Sequence, residues 1–267
     1  MEALPITLCV STRNAERHLT QCIDSARDWV SEIVIVDMDS DDRTREIARA
    51  AGAKVVEVPA AGWAEPGREA GLRAASQPWV LVLDADERAG PELATLAASW
   101  VARDDLDGVL LPRQNFQFGW WLEGSGIWPD WQLRLFRANS TTWPAHRTHV
   151  GAQVDGHVER APAKPANAIV HHSFPSISAW VAGMNRYTEL EARRLAEEGQ
   201  RGGLLRLLGV PLARFAELYV VRRGYRGRRY GLAVALMSLC YWLMAELKLW
   251  ELRLDSNGMP DGAVREL

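Results

Sequence analysis

The chain has 267 residues, of which 48% are hydrophobic and 24% charged, so it is long and apolar enough to bury a large core and is not a disordered protein. Its formal net charge of −3 excludes a general electrostatic attraction to nucleic acid. Three widely spaced cysteines, Cys9, Cys22 and Cys240, form neither a disulfide framework nor a metal-binding motif and indicate a reducing compartment. The opening "MEALPITLCVSTRN" lacks the pattern of a signal peptide. We therefore expect a cytoplasmic location.

Strand and helix patterns alternate over the first 112 residues. Strands are predicted for "ITLCV", "EIVIVD", "AKVVEV", "WVLVLD" and "DGVLLPR", and helices for the segments between them. The helix in "DDRTREIARAAG" is expected to have Ser40 or Asp41 as its N-cap and to stop at Gly52. Short continuous Val/Ile/Leu runs separated by helices predict an α/β fold, with a mostly parallel sheet flanked by helices.

The pattern changes after Arg113. "QNFQFGWWLEGSGIWPDWQ" is rich in aromatic residues and glycine and is typical of a functional loop, and "LRLFRA" and "AIVHHS" follow as further strands. From about Ser176 helices dominate, with segments predicted at 176–199, 203–223 and 229–252. The sequence therefore predicts an α/β domain over 1–175 and a helical C-terminal region over 176–267.

Two of the predicted strands end in clusters of acidic residues. Asp37 ends the second strand and Asp84 ends the fourth, and ligands of parallel sheets gather at the carboxyl ends of the strands. Asp84 and Asp86 are two residues apart, so in extended chain both carboxylates point to one side and suit a hard cation such as Mg²⁺ or Mn²⁺ held with a diphosphate. In the alternative, Asp86 or Glu87 merely caps a turn.

The acids in "DMDSDDRT" are expected to differ in purpose. Asp41 and Asp42 lie where a helix begins, a position that favours acids for structural reasons. Asp37 has no such role, and its carboxylate suits a ring N–H or a ribose hydroxyl of a nucleotide, with Asp39 assisting.

Four ordered motifs carry a family resemblance: "ITLCVSTRNAERHL", "EIVIVDMDSDDRT", "GREAGLRAASQPWVLVLDADE" and "DWQLRLFR". Together they resemble the inverting family-2 glycosyltransferases of the GT-A fold, nearest to small bacterial enzymes that add a sugar to lipopolysaccharide core. The resemblance implies a Rossmann-like catalytic domain with a nucleotide-sugar half at 1–112 and an acceptor half at 113–175. It also implies Mg²⁺ or Mn²⁺, and transfer of a hexose from a nucleotide sugar, expected to be UDP-linked, to a glycan or lipid-linked acceptor.

The resemblance further implies roles for individual residues. The expected nucleotide-sugar-binding residues are Ser11, Thr12, Arg13, Asn14, Asp37, Asp39, Arg68, Asp84 and Ala85. Within that set Asp37 is assigned to the base and Asp84 to the ribose. Asp86 is expected to bind the metal, and His171, at the end of "AIVHH", to complete the metal shell or to serve a structural purpose.

The loop before "LRLFR" is expected to hold the general base. Asp130 is the first candidate and Glu123 the second. Four tryptophans nearby offer flat faces for a sugar ring, and about half of them are expected to reach the acceptor: Trp120, Trp121, Trp128 and Trp131. Related enzymes often carry His-Glu after the aromatic segment, whereas here His149 is followed by valine.

The C-terminal region combines arginines with apolar residues. Eight arginines and one acid, Glu217, lie between Arg201 and Arg229, and an uncharged run of sixteen residues follows from Tyr230 to Ala245. This run is shorter than a typical membrane span, so a buried or interfacial helix is expected. Contact with an anionic membrane surface, a homodimer interface and packing on the catalytic sheet all remain open.

Three other classes of protein share parts of this pattern. Haloacid-dehalogenase-like phosphohydrolases also place paired aspartates after an apolar strand, but Arg88 holds a position where they carry Thr or Val. A dinucleotide-dependent dehydrogenase is disfavoured because no Gly-x-Gly-x-x-Gly follows the first strand. A non-catalytic, membrane-associated nucleotide-sugar-binding protein is the remaining alternative.

Overall fold

The computed structural model describes residues 2–61, 63–121, 123, 127–144 and 151–256. They form two compact units: the first unit is Met1–Asn115 with Pro129–Ser173, and the second unit is Phe116–Trp128 with Phe174–Leu267. The segment 116–128 therefore falls outside the α/β domain in which the sequence prediction placed it. The physical reason is local, since the backbone N–H of Phe118 donates to the carbonyl of Phe174, which is also in the second unit.

The first half of the sheet is parallel. Its strands are β1 (Leu4–Thr12), β2 (Val30–Asp37), β3 (Lys54–Glu57) and β4 (Trp79–Asp84), connected by the helices α1 (Leu19–Asp24), α2 (Thr44–Ala50) and α3 (Glu65–Ala74). The strands lie in the order β3-β2-β1-β4, and each is parallel to its neighbours. The alternation of strands and helices predicted from the sequence is confirmed, although α1 occupies only part of the segment between β1 and β2.

The start of α2 differs from the prediction. Arg43, rather than Ser40 or Asp41, is the N-cap residue, and Asp42 Oδ1 accepts the backbone N–H of Thr44 at 2.9 Å. Ser40 instead donates its backbone N–H to Asp37 Oδ2, so the chain turns once more before the helix begins. Gly52 follows the helix with φ of +77°, as a C-terminal stop requires.

The second half of the sheet is mainly antiparallel. It contains β5 (Glu87–Ala89), β6 (Gly108–Gln117), β8 (Asp130–Arg137) and β12 (Ile169–His172), with α4 (Leu93–Val101) between β5 and β6. The short strand β7 (Trp120–Trp121) pairs antiparallel with β6, and β11 (Val158–Arg160) pairs parallel with it. β9 (Thr141–Thr142) and β10 (Gln153–Val154) form a separate two-stranded antiparallel sheet. β8 lies between β4 and β6 and is antiparallel to both. Because β6 and β8 are antiparallel neighbours, the chain reverses direction between them instead of crossing over. The flanked Rossmann-like sheet is thus parallel over its first four strands and mixed beyond them.

Alternating side chains bury both faces of the sheet. On β4, Trp79, Leu81 and Leu83 join the buried cluster that contains α1 residues. Val80 and Val82 point to the opposite face, where Phe136 of β8 and residues of α3 lie. Continuing this period of two, Asp84 points to the α3 face. The strand thereby aims its terminal carboxylate at the helix that carries Arg68.

Among its described residues, the second unit consists mainly of helices, together with β7 and the last two residues of β6. Its helices are α5 (Ile177–Glu197), α6 (Leu204–Ala216) and α7 (Arg228–Ser256), with a π-helical segment at Glu217–Val221 and a 3-10 turn at Gly224–Gly227. These bounds confirm the three predicted helices. The helical stretch Gly224–Arg253 is long and apolar enough to cross a membrane by length and composition, although its uncharged run alone is too short.

Candidate active site

The ends of the three central strands lie side by side. Thr12 of β1 is in register with Asp37 of β2, and Ser11 is in register with Asp84 of β4. The two acidic strand ends predicted from the sequence therefore flank the end of β1 at one edge of the sheet. This edge of an α/β sheet is where ligands bind.

Asp37 combines complete burial with a free hydrogen-bond acceptor. Its Oδ2 accepts the backbone N–H of Ser40 at 3.1 Å and Nη1 of Arg45 at 3.3 Å. Its Oδ1 is buried and has no hydrogen-bond partner among the residues that the structure describes. A buried carboxylate oxygen without a donor is costly, so it marks a position where a ligand donor fits.

The residues at the end of β1 and in the following turns differ in the hydrogen bonds that they make. Thr12 donates its hydroxyl to the carbonyl of Val36 and so ties β1 to β2. Arg13 and Asp39 are exposed and make no side-chain hydrogen bond within the described part of the chain. Asp42 accepts the backbone N–H of Glu16 at 3.0 Å, which gives this acid the structural purpose expected of it.

Helix α3 approaches the strand ends closely because it carries glycine at the contact. A Cβ atom added at Gly67 would lie 2.7 Å from Sδ of Met38 and 3.1 Å from Cβ of Ser11. This approach places Arg68, the next residue, over the end of β4. Arg68 also stacks on Trp143, with Cζ 5.5 Å from the ring centroid.

Asp84 is held between two arginines. Its Oδ1 accepts Nη2 of Arg68 at 2.5 Å, and its Oδ2 accepts Nη2 of Arg134 at 2.8 Å. Burial raises the pKa of Asp84, but the charges and hydrogen bonds of Arg134 and Arg68 outweigh it and hold the pKa far below the usual range. Asp84 is therefore ionised at neutral pH, and Ala85 follows it directly in the turn to β5.

Sequence reasoning missed Glu87 and Arg134. The Glu87 side chain is fully buried and accepts the backbone N–H of Asp84 at 2.9 Å and guanidinium groups of Arg113 and Arg134, each at 3.0 Å. Glu87 is thus the anchor of the cluster, and it also accepts the bond that closes the turn after Asp84. One signal was available: an arginine within the apolar strand "LRLF" must find buried acids as partners.

Asp86 and His171, the two residues expected to bind the metal, lie close together. His171 Nε2 is 3.4 Å from Asp86 Oδ2, and His171 Nδ1 is 2.7 Å from Asn115 Oδ1. Asn115 donates its amide nitrogen to Asp130, so its oxygen must accept from His171 Nδ1. In the neutral ring this leaves the lone pair on Nε2, which faces Asp86.

Asp86 and His171 could supply only some of the ligands that a divalent cation needs. Within the described ranges, no three His, Cys, Asp or Glu side chains are grouped closely enough to hold a metal by themselves. A carboxylate oxygen and an imidazole nitrogen supply two ligands, and Mg²⁺ or Mn²⁺ commonly takes its others from phosphate and water. The donor set therefore matches a metal that binds together with a diphosphate.

Asp130 is fixed on several sides. Its Oδ2 accepts Nε of Arg113 at 2.9 Å and the Asn115 amide at 3.0 Å, and its Oδ1 accepts Gln132 at 2.8 Å. Burial raises the pKa of Asp130, but Arg113 and the amide donors lower it by more, so the pKa lies below its usual value. The carboxylate is ionised, with reduced basicity in this arrangement.

A cleft of about 270 Å³ opens beside these residues. Its polar walls include Arg68, Arg113 and Arg134. Guanidinium groups bind phosphate oxygens in a bidentate manner, so three of them around one cleft suit a phosphorylated ligand.

The aromatic residues divide between the units. In the first unit Trp131 packs under Arg160, whose Cζ is 5.5 Å from the ring. In the second unit Trp121 and Trp128 meet edge to face at 5.6 Å, and Trp120 stacks on Tyr230. Their contact with an acceptor stays a prediction. Glu123 is exposed in the second unit, and His149 lies outside the described residues.

Comparison with known proteins identifies the family. The model of glycosyl transferase family 2 matches residues 7–154, more than half of the chain. The chain belongs to glycosyl transferase family 2. The family-2 resemblance predicted from the four motifs is confirmed, and membership removes the phosphohydrolase alternative.

Relatives cover nearly the whole chain. The lipopolysaccharide core biosynthesis glycosyltransferase LpsC of Rhizobium meliloti is 26% identical over 261 residues, which is 93% of each chain. An uncharacterised glycosyltransferase of Rickettsia bellii is 24% identical and spans 94% of this chain and 88% of its own. The mannosyltransferase PcManGT of Pyrobaculum calidifontis, solved with GDP-Man and Mn²⁺, is 17% identical, with a TM-score of 0.55 and coverage of 94% and 88%. That likeness shows a shared fold, and the predicted GT-A architecture is confirmed.

Proposed function

We propose that this family-2 enzyme is a metal-dependent inverting hexosyltransferase that uses a nucleotide sugar, expected to be UDP-linked. The observation that carries the proposal is the unpartnered, buried Oδ1 of Asp37 at the same sheet edge as the Asp86–His171 pair. The first feature suits a nucleoside, and the second suits a cation bound to its diphosphate.

The donor-binding residues act by hydrogen bonding and charge. Asp37 accepts a ring N–H of the base through Oδ1. Ser11 and Thr12 line the pocket wall, with Arg13 and Asp39 at its rim, and Asp84 and Ala85 lie at the ribose. Arg68 and Arg134 already pair with Asp84 and have hydrogen-bonding capacity left, since Nε of each is buried and has no partner in the described part of the chain. We assign these two guanidinium groups to the diphosphate.

Asp86 and His171 are the residues that would hold Mg²⁺ or Mn²⁺. The cation supplies charge neutralisation for the departing diphosphate. His171 contributes Nε2 because Asn115 holds the proton on Nδ1. This role is consistent with metal-ligand histidines, which usually donate their second nitrogen to a neighbouring acceptor.

We retain Asp130 as the base that takes the proton of the acceptor hydroxyl. It is ionised at neutral pH, as a base must be, and its low basicity follows from the contact with Arg113. If an incoming acceptor draws Arg113 away, the proton affinity of Asp130 rises. A step of this kind would couple acceptor binding to base activation.

The acceptor is proposed to be a glycan or lipid-linked glycan, such as lipopolysaccharide core. The support is the name of the Rhizobium meliloti relative, which matches over 93% of both chains. A cytoplasmic site of action fits the free cysteines Cys9, Cys22 and Cys240.

A thermal-stabilisation screen tests the donor assignment. UDP-, GDP- and dTDP-hexoses are added with and without Mn²⁺, and the melting temperature is followed because ligands that bind the folded state raise it. We expect one nucleotide class to stabilise the protein in a metal-dependent manner. Asp37→Asn should lose this shift, whereas Asp41→Asn, a matched change at an exposed acid nearby, should keep it.

Transfer assays separate catalysis from binding. Asp130→Asn should retain the metal-dependent shift and lose turnover, since only the proton acceptor is removed. Donor binding by the parent protein without any sugar transfer or donor hydrolysis would favour the non-catalytic alternative. Full turnover by Asp130→Asn would assign the base elsewhere.

A further inference from the structure

The second unit presents an apolar helix face to solvent. Leu204, Leu205, Leu208 and Leu212 of α6 are 71%, 91%, 57% and 59% exposed. They recur at intervals of three and four residues, which is one side of a helix. Exposed small or apolar residues continue the same side: Gly209, Ala213, Ala216 and Val220. We call this set the α6 face.

Charged residues of α6 are turned away from this face. Arg206 makes a two-pronged ion pair with the buried Glu246 of α7, at 2.6 and 3.0 Å. Arg214 lies over the ring of Trp242, with Cζ 4.7 Å from its centroid. An apolar stripe normally packs into a core, whereas the leucines of the α6 face are exposed while Leu207, Val210 and Pro211 occupy the inward side of the helix.

Arginines gather directly after the α6 face. Arg222, Arg223, Arg226, Arg228 and Arg229 form what we call the arginine turn. Arg222 pairs with Glu217, and Arg229 lies over Tyr230. The guanidinium groups of Arg223, Arg226 and Arg228 are exposed and make no ion pair or hydrogen bond among the described residues.

Helix α7 has a different role in the second unit. Its Leu249 packs with Ala192 and Leu195 of α5, and Lys248 donates to Asn185 at 2.5 and 2.9 Å. With the Glu246–Arg206 pair, these contacts fasten α7 to both of its neighbours. Its length suits a membrane span, but these polar contacts suit the scaffold on which α6 is mounted.

We propose that the α6 face and the arginine turn bind an anionic lipid leaflet, with α6 lying in the plane of the interface. Exposed leucines supply the apolar surface, and the unpaired arginines supply charge complementarity to acidic headgroups. Tyr225 and Trp120, which are 49% and 51% exposed, add side chains of the kind enriched at such interfaces. This surface belongs to the second unit and the proposed catalytic residues to the first, so the proposal goes beyond the transfer reaction.

Vesicle flotation tests the proposal without reference to activity. The full-length protein is mixed with phosphatidylcholine vesicles, with or without roughly one third phosphatidylglycerol, a content that gives a strongly negative surface. We expect binding to the anionic vesicles that weakens as salt rises. Each arginine near such a surface contributes about fivefold, so Arg223→Gln with Arg226→Gln and Arg228→Gln should lower partitioning on the order of 100-fold.

Matched variants show whether charge and place both matter. A variant with lysine at the same three positions should bind anionic vesicles as the parent protein does. Arg17→Gln with Arg27→Gln and Arg43→Gln removes the same charge from exposed sites of the first unit and should leave binding unchanged. Leu205→Ser with Leu212→Ser should reduce binding roughly tenfold or more, because these leucines supply the apolar contact. The control Ile177→Ser with Val181→Ser changes an exposed apolar pair on α5 and should not reduce binding.

Four results would overturn the proposal. The first is equal binding to neutral and anionic vesicles, and the second is no binding by the parent protein. The third is a dimer in sedimentation velocity that Leu205→Ser with Leu212→Ser dissociates, because the α6 face would then belong to a second copy. The fourth is resistance to extraction at alkaline pH, which would assign α7 as a span.

Discussion

The burial of Glu87 gives a quantitative prediction about stability. Its carboxylate is fully buried and contacts Arg113 and Arg134, each at 3.0 Å. At an effective dielectric of about 20, two unit charges roughly 3 Å apart attract by about 5 kcal/mol, but desolvation offsets much of this. Removing one partner of a buried pair costs about 3–5 kcal/mol. Both arginines keep a second acid, Asp130 or Asp84, so for Glu87→Gln we expect the lower end, about 3 kcal/mol.

Glu57→Gln is the matched control. Glu57 contacts two arginines as well, Arg49 at 2.9 Å and Arg45 at 3.7 Å, but its side chain is 55% exposed. Exposed pairs contribute about 0–1 kcal/mol. Urea unfolding of both variants measures the difference in free energy. If the two losses agree within about 1 kcal/mol, burial does not give Glu87 the anchoring role assigned to it.

Three further predictions follow from the same site. The pKa values of Asp84 and Asp130 are lower in the folded protein than the unfolded value of about 3.9, so both carboxylates stabilise the fold above that pH. The free energy of unfolding should therefore fall as the pH drops below about 5. In urea titrations, Asp130→Asn should flatten this pH dependence. In thermal melts, Gly67→Ala should destabilise the protein by about 1–3 kcal/mol and weaken nucleotide binding, because the added methyl group pushes α3 outward. Gly209 has open space around it, so Gly209→Ala should stabilise the protein by up to about 1 kcal/mol in the same thermal melts. Asn115→Leu should weaken metal-dependent nucleotide binding about 10–100-fold in calorimetry, because the metal-ligand histidine loses its orienting partner, and an unchanged affinity would refute that link.

The sequence predicted the features that depend on local pattern. The apolar run before Asp84 identified β4, and the period of two places the carboxylate on the α3 face. The helices of the C-terminal region are predicted to within a few residues because α5 has a clear apolar stripe and α7 contains a long uncharged apolar run.

Features that depend on long-range pairing were not predicted. Glu87 and Arg134 form an ion pair although they are 47 positions apart in the sequence, and the local sequence around either residue does not indicate its partner. The antiparallel insertion of β8 between β4 and β6 creates that contact. The exposure of the α6 face was also hidden, because an apolar stripe in a sequence looks the same whether it faces a core or solvent.

Calorimetric titration of the nucleotide, with and without Mn²⁺, tests the central claim most directly. For the parent protein we predict that Mn²⁺ tightens binding of the nucleoside diphosphate. Asp86→Asn should abolish this increment while leaving metal-free binding in place, and Asp37→Asn should weaken binding under both conditions. An Asp86→Asn protein with the full Mn²⁺-dependent gain would contradict the assignment of Asp86 to the metal and, with it, the proposed organisation of the site.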